Sequence, residues 1–200
     1  ECSYASDADV VALHEAVGGA TEAEAAASAT VIVNRVKNLL GSATNQLGIV
    51  VDLDLRPEGK NGPMSRTIES HREYAQRWAS TWERQAAVRA RPIGEGSLAD
   101  SARALFDELA YGGVSESDVR DIRLLKARME NERLPRGIEP ARHVKLGPGG
   151  LTDVEWTIQL IQMRAGMNNP ALRTPSTTQA ILSAREHELI SAQDAQTLLD

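Results

Sequence analysis

Cysteine is nearly absent from the sequence, which contains only Cys2 in 200 residues. A lone thiol cannot form an internal disulfide, so a disulfide-stapled domain is excluded and a reducing compartment is expected. No apolar run approaches the roughly 18 residues of a membrane span, and no signal peptide is visible. We therefore expect a cytoplasmic protein with no membrane partner.

Aromatic and basic residues are also scarce. Aromatic residues make up 4% of the chain, and 22 Lys and Arg are outnumbered by 28 Asp and Glu, for a net charge of −6. Binding to nucleic acid normally needs a clustered basic surface, so no nucleic-acid partner is expected. Few aromatics beside many Ala, Leu and Val favour helix-rich packing over an aromatic-rich sandwich.

The residues that are present include acids on two predicted strands. We predict a strand over residues 7–14 that carries Asp7 and Asp9, and a later strand that carries Asp52 and Asp54. Acids two residues apart share one face of a strand. For a single pair of this kind, the alternative is that both acids are solvated at an exposed strand end. Like charges on one face repel each other unless a cation lies between them. Two pairs therefore favour a metal site.

A helix is predicted between these strands. It runs from Thr21 to Leu40, with Thr21 and Glu24 as a capping box and Gly41 as the stop. A strand, helix, strand order of this length places the two strands side by side. We therefore expect the acids of both strands to be neighbours.

A turn-rich loop follows the second strand and carries two cations. Pro57, Gly59 and Gly62 prevent further strand pairing. We expect Arg56 and Lys60 to contact phosphate or substrate there. A structural ion pair between Arg56 and Asp54 is an equal alternative for Arg56.

The rest of the chain is predicted to be helical. The expected helices cover residues 65–91 with a break near Ser80, 97–110, 115–133, 152–163, 177–184 and 191–199.

Trp78 and Trp82 are spaced as on one helix face, which favours core packing over a base-stacking platform. The histidines lie at no ligand spacing, so they are expected to be structural or exposed, and zinc is not indicated. We predict two domains, residues 1–110 and a helical bundle over residues 111–200.

The acids could support phosphate chemistry. Mg²⁺, or equally Mn²⁺, takes oxygen ligands and commonly combines one or two carboxylates with substrate phosphates. Two such ions can hold a triphosphate and activate an attacking hydroxyl.

Four segments, in this order and spacing, closely resemble the glutamine synthetase adenylyltransferase family. They are Ser6–Val10, Val51–Gly59, Trp82–Ala86 with Arg89–Pro92, and Lys145–Trp156. The resemblance implies an α+β, helix-rich fold with a small polymerase-β-like nucleotidyltransferase sheet. Family members carry one unit that transfers AMP from ATP to a tyrosine of glutamine synthetase and one that removes it by phosphorolysis. Residues 115–136 look more like the AMP-attaching unit.

The resemblance also implies roles for individual residues. Asp7 and Asp9 match the paired metal ligands and Asp52 the third acid, whereas Asp54 departs from a position that is basic in many relatives. Ser6 is expected to contact the nucleotide. The family's glycine pair and serine should lie just before Glu1, so we expect a core cut at its phosphate-binding turn.

Lys145 lies in a Gly-rich loop before a predicted helix. We expect it either to contact phosphate or a partner beside the helix start, or to be a surface lysine. The partners implied are glutamine synthetase and a PII-type signal protein. A catalytically silent nucleotide-sensing or docking module remains the alternative function.

Overall fold

The computed structural model describes residues 7–41, 48–134, 137 and 139–200. The helices in these ranges are α1 Glu22–Gly41, α2 Ile68–Trp78, α3 Thr81–Ala87, α4 Ser97–Tyr111, α5 Glu116–Glu132, α6 Leu151–Ala165, α7 Thr177–Glu186 and α8 Ala192–Leu199. The strands are β1 Ala8–Asp9, β2 Ala12–Leu13, β3 Val51–Asp52 and β4 Ser65–Arg66. The prediction of a helix-rich α+β chain is confirmed, while the polymerase-β-like fold stays a prediction.

The strands form two parallel pairs, β1 with β3 and β2 with β4. The single strand predicted over residues 7–14 is therefore wrong. Val10 N donates to Asp52 O at 2.7 Å, and His14 N donates to Arg66 O at 3.0 Å. The segment that contains β1 and β2 changes partner after Val10, because the neighbouring chain leaves the pair after Asp52 and returns at β4.

Side-chain caps set the helix starts where the sequence predicts them. Thr21 N donates to Glu24 Oε2 at 2.9 Å and Glu24 N donates to Thr21 Oγ1 at 3.3 Å, a reciprocal capping box. These hydrogen bonds lower the pKa of Glu24. Ser80 with Glu83 forms a second capping box, which confirms the predicted break at Ser80.

Two tryptophans are not in the core, contrary to the prediction. Trp78 is 74% exposed and Trp82 is 42% exposed. Their spacing would align them only on a continuous helix. The chain instead ends α2 at Trp78 and begins α3 at Thr81, so each tryptophan lies at a helix end.

The chain divides into two compact units. Unit 1 contains the described residues up to Ala79 together with Pro92–Leu105, and unit 2 contains Ser80–Arg91 and Phe106–Asp200. The predicted boundary at residue 110 remains a prediction. No helix in the part of the chain that the structure describes is long and apolar enough to cross a membrane.

Each unit has its own buried apolar residues. In unit 1, Ile68, Ala102 and Leu105 pack with Leu13 and Leu98. In unit 2, two clusters share helix α6. The first cluster contains Ala87, Val88, Ala110, Tyr111, Ile122 and Met163, and the second contains Ile158, Leu172, Ala180, Ile181, Ala184 and Ala195.

Candidate functional site

Two of the three predicted metal ligands face each other across neighbouring strands. Asp9 of β1 is the register partner of Asp52 of β3. Hydrogen bonds on either side fix this register, because Ala8 N donates to Val50 O at 2.8 Å and Val10 N to Asp52 O at 2.7 Å. Neighbouring strands lie about 4.8 Å apart, and register partners project from the same face. The two carboxylates therefore begin from adjacent backbone positions.

The orientation of Asp52 follows from the sequence around it. Val51 and Leu53 are buried at 5% and 3% exposure, while Asp52 between them is half-buried. Apolar neighbours on both sides turn Asp52 away from the core, because successive strand side chains alternate.

Asp7 lies just before β1 and is exposed. Among the described residues, no group of three or more His, Cys, Asp or Glu side chains is arranged to hold a metal ion. The structure therefore brings Asp9 and Asp52 into register but does not gather the three predicted acids into one cluster. A pair of carboxylates still fits the donor set of Mg²⁺, which uses one or two carboxylates with substrate phosphates.

Asp54 does not share a strand face with Asp52, contrary to the prediction. β3 ends at Asp52, and Asp54 N turns back to donate to Asp52 Oδ1 at 2.7 Å. A short acid that binds the backbone amide two residues later commonly starts such a turn. Turn chemistry thus replaces strand alternation at this point.

The cations of the next loop differ in their contacts. Arg56 is only 10% exposed and lies 3.8 Å from Asp54, so the predicted alternative of an ion pair is confirmed. Lys60 Nζ also lies 3.4 Å from Asp54, but its side chain is 82% exposed. An exposed pair of this kind contributes at most about 1 kcal/mol, so Lys60 can exchange Asp54 for another anion.

Lys145 belongs to unit 2, where its side chain is exposed before α6. The amides at the start of α6 are already bonded within the loop, since Leu151 N donates to Val144 O at 2.9 Å and Thr152 N to Lys145 O at 3.0 Å. They are not directed at an anion. The predicted Lys145 contact remains a prediction, and Ser6 lies outside the described residues.

Asp153, in the first turn of α6, holds the Gly-rich loop. Its carboxylate accepts from Gly149 N at 2.6 Å and lies 2.5 Å from Lys126 Nζ. Desolvation alone would raise the pKa of Asp153, but the hydrogen bonds from Lys126 and Gly149 outweigh it and lower that pKa. The residue therefore has a structural role.

The resemblance segment at residues 82–92 makes polar contacts with α6 and α7 inside unit 2. Gln85 Nε2 donates to Gln159 Oε1 at 2.8 Å, and both side chains are buried. Arg89 donates to Thr177 Oγ1 at 2.5 Å and lies 3.4 Å from Glu155. Sequence reasoning missed these polar contacts, because no local pattern links residues more than 60 positions apart.

A buried pair in unit 1 was also missed. His14 Nδ1 lies 2.8 Å from Ser65 Oγ, and both residues are buried. The prediction of a structural role for His14 is confirmed, but its partner left no signal in the sequence. The hydrogen bond joins the ends of β2 and β4.

Residues 1–105 match the family model described as glutamate-ammonia ligase adenylyltransferase. The chain belongs to this family. The resemblance predicted from the four segments is therefore confirmed. Residues 123–200 match a second model, described as GlnD PII-uridylyltransferase.

Curated members of the adenylyltransferase family align with nearly the whole chain. A bifunctional glutamine synthetase adenylyltransferase/adenylyl-removing enzyme from Streptomyces coelicolor is 46% identical over 201 residues, which cover 99% of this chain and 20% of the relative. Relatives with the same name from Cutibacterium acnes and Nocardia farcinica are 46% and 41% identical, over 92% and 100% of this chain and 18% and 20% of their own lengths. The chain thus spans about a fifth of the length of these relatives.

Proposed function

We propose that this chain forms part of an enzyme that transfers AMP from ATP to a tyrosine hydroxyl of glutamine synthetase. The register of Asp9 with Asp52 carries the proposal, because two acidic residues start from adjacent backbone positions in a chain of an adenylyltransferase family. The names of the relatives supply the reaction and the protein substrate. Asp7, two residues before Asp9, is the other member of the acid pair that the sequence predicts, and Asp52 is the third acid.

Asp9 and Asp52 are the residues that would hold Mg²⁺ or Mn²⁺, with Asp7 beside them. A divalent cation bound there would neutralise phosphate charge and so favour nucleotide binding. The alternation of Val51, Asp52 and Leu53 fixes the backbone from which one of these ligands projects. That arrangement limits the reorganisation needed when the nucleotide arrives.

The transfer itself makes one bond and breaks one. The tyrosine oxygen bonds to the α-phosphorus of ATP, the bond from that phosphorus to the bridging oxygen breaks, and pyrophosphate leaves. Asp52 Oδ1 is engaged by Asp54 N, so we assign Oδ2 as the atom that accepts the hydrogen bond of the tyrosine hydroxyl. A positioned carboxylate can remove that proton as the bond forms.

Lys60 is the cation that we assign to the departing phosphates. Its ammonium is exposed and, in the part of the chain that the structure describes, is paired with Asp54, whereas the Arg56 guanidinium donates to the backbone of its own loop. A mobile point charge suits phosphate oxygens whose positions change during the reaction. Lys145, in unit 2, stays a predicted contact for phosphate or a partner.

Single carboxylate-to-amide changes test the assignment. Asp9→Asn and Asp52→Asn should abolish incorporation of radiolabelled AMP into glutamine synthetase, because an amide is a poor metal ligand and a poor base. Asp100→Asn, an exposed acid of α4 with no assigned role, is the matched control. Full AMP incorporation by Asp52→Asn would reject its catalytic role, and circular dichroism would confirm that each variant is folded.

Removal of AMP is the second candidate, because the relatives are named as adenylyl-removing enzymes as well. In that reaction phosphate attacks the phosphorus of AMP-modified glutamine synthetase, the bond to the tyrosine oxygen breaks, and ADP is released. Supplying modified glutamine synthetase with phosphate and measuring ADP separates the two directions. ADP formation without AMP incorporation from ATP would assign the removing activity.

The third candidate is a nucleotide-sensing or docking module that contacts glutamine synthetase or a PII-type protein. Two observations favour it: the described acids do not form a three-ligand metal group, and residues 123–200 match a PII-uridylyltransferase model. Calorimetric titration with ATP and Mg²⁺ distinguishes it from an enzyme. Nucleotide binding that disappears in Asp9→Asn supports a working site, while PII binding without nucleotide supports docking.

A further inference from the structure

The loop that follows β3 is closed by one side chain. Arg56 Nη1 donates to Leu53 O at 2.8 Å, and Arg56 Nε donates to Gly62 O at 3.1 Å. These carbonyls lie at the two ends of the loop, three residues before Arg56 and six after it. A planar guanidinium can bond both at once, which a lysine ammonium on a flexible stem cannot do with the same geometry.

The same guanidinium is linked to the proposed metal ligand through Asp54. Arg56 Nη1 lies 3.8 Å from Asp54 Oδ1, and Asp54 N donates to Asp52 Oδ1 at 2.7 Å. Asp54 Oδ2 lies 3.4 Å from Lys60 Nζ. One acid thus connects the carboxylate of Asp52, the guanidinium of Arg56 and the ammonium of Lys60.

The loop backbone leaves little room for another shape. Glu58 has a φ of 65°, in the left-handed region that a non-glycine residue seldom adopts. Its side chain accepts from Arg66 Nη2 at 2.7 Å, which ties the loop to β4. A Cβ at Gly62 would lie 2.0 Å from Pro57 O. The loop is therefore a packed turn held by several independent contacts.

From these contacts we propose that Arg56 is a positioning residue rather than a phosphate ligand. By closing the loop and holding Asp54, it sets the position of the Asp52 carboxylate and of the Lys60 ammonium. This assignment rests on the proposed function, in which Asp52 is a metal ligand and Lys60 contacts phosphate. It replaces the phosphate contact that the sequence predicts for Arg56.

Arg56→Lys is the informative variant because it keeps the positive charge and loses the double contact. Two readouts do not need glutamine synthetase. Trypsin should cleave the bond after Lys60 faster in the variant, because the opened loop makes that peptide bond more mobile. The bond after residue 56 is protected from trypsin in both proteins, because Pro57 follows it. Calorimetry measures the Mn²⁺ concentration that gives half-maximal ATP binding. We expect this concentration to rise by about tenfold, because losing a residue that orients a metal ligand weakens metal binding by about that factor.

Arg173→Lys is the matched control. Arg173 also holds a turn by donating to two backbone carbonyls, Gly166 O at 2.8 Å and Met167 O at 3.0 Å, but it does so in unit 2. The Arg173→Lys variant should lower the melting temperature as much as Arg56→Lys does. It should leave the Mn²⁺ requirement and the rate of cleavage after Lys60 unchanged. A merely structural role for Arg56 would make the two variants behave alike.

The outcomes separate the possible roles. An unchanged Mn²⁺ requirement with weaker ATP binding at saturating Mn²⁺ would overturn the proposal and make Arg56 a direct phosphate ligand. Unchanged binding and unchanged cleavage would overturn it as well. If the wild-type protein transfers no AMP, the proposed reaction fails, but the cleavage and Mn²⁺ measurements still decide whether Arg56 positions Asp52. A wild-type protein that binds no Mn²⁺ would overturn both.

Discussion

The imidazole of His14 lies 2.8 Å from the hydroxyl of Ser65, a residue 51 positions later in the chain. This hydrogen bond is buried and joins the ends of two paired strands, β2 and β4. It connects the segment that carries Asp9 to the segment that returns from the Asp52 loop. The strands are only two residues long, so a side-chain contact at their ends can contribute substantially to the pairing.

Removing one partner of this pair should destabilise unit 1. We expect Ser65→Ala to lower the free energy of unfolding by about 1–3 kcal/mol, because it leaves the buried His14 Nδ1 without a hydrogen-bond partner. Urea unfolding followed by circular dichroism measures the change. Ser101→Ala, at an exposed serine of α4, provides the control and should have little effect. Equal stability of both variants would show that the bond contributes nothing.

Removing the exposed cation of the loop should affect substrate binding rather than folding. Within the described ranges Lys60 pairs with Asp54, and its side chain is 82% exposed, so Lys60→Ala should leave the melting temperature unchanged. If its ammonium contacts phosphate, the KM for ATP should rise by about tenfold, the equivalent of roughly 1.4 kcal/mol. Lys37→Ala, an exposed lysine of α1, is the control. An unaltered KM would remove Lys60 from the site.

The stability of unit 2 should depend on pH through Asp118. Desolvation by burial alone would raise the pKa of Asp118, but hydrogen bonds from Ser115 and Thr81 and the charge of Arg84 lower it from 3.8 to about 2. The unfolded state therefore binds this proton more readily, and the ionised carboxylate stabilises the folded state, with its full contribution present above pH 3.8. This contribution is lost as the pH falls towards 2.

Thermal unfolding of wild type and Asp118→Asn across pH 2 to 7 tests this dependence. The stability difference should be full near neutral pH and should shrink as the pH falls through the lowered pKa of Asp118. Asp121→Asn serves as the control, because Asp121 lies one turn after Asp118 on α5 and, among the described residues, accepts a long 3.5 Å hydrogen bond from Thr81 Oγ1. A difference that stays constant down to pH 2 would contradict the lowered pKa.

A methyl group at Gly62 should disrupt the loop. An added Cβ would lie 2.0 Å from Pro57 O, a backbone atom that cannot move without opening the turn. We expect Gly62→Ala to cost roughly 2 kcal/mol or more and to raise the Mn²⁺ requirement as Arg56→Lys does. Gly41→Ala is the control, since nothing lies within 4 Å of its Cβ position. Crystallography or amide exchange would show an unchanged loop if the expectation is wrong.

Local features of this protein could be read from its sequence because their causes are local. Thr21 with Glu24 and Ser115 with Asp118 are capping boxes whose two partners lie three residues apart. The break at Ser80 follows from the same chemistry. The family was also recognisable, because its motifs keep their order and spacing along the chain.

Strand bounds and burial could not be read in the same way. The strand predicted through His14 changes partner after Val10, because its pairing depends on where the distant Asp52 chain turns away. Trp78 and Trp82 fit an apolar helix face but lie at the ends of two separate helices. Both errors arise because the periodic pattern of a strand or a helix was continued past the residue where that element ends. At each of these points, pairing or capping by other residues ends the element.

For the site, the sequence by itself determined the residue types: acids on short strands, a turn-forming loop after Asp52 and two cations within it. Only the tertiary structure decided which of them meet. It set Asp9 beside Asp52, turned Arg56 onto Leu53 O and Gly62 O, and left Lys60 exposed. The physical reason is that strand register and loop closure depend on hydrogen bonds between residues far apart or across a turn, which no periodic pattern specifies.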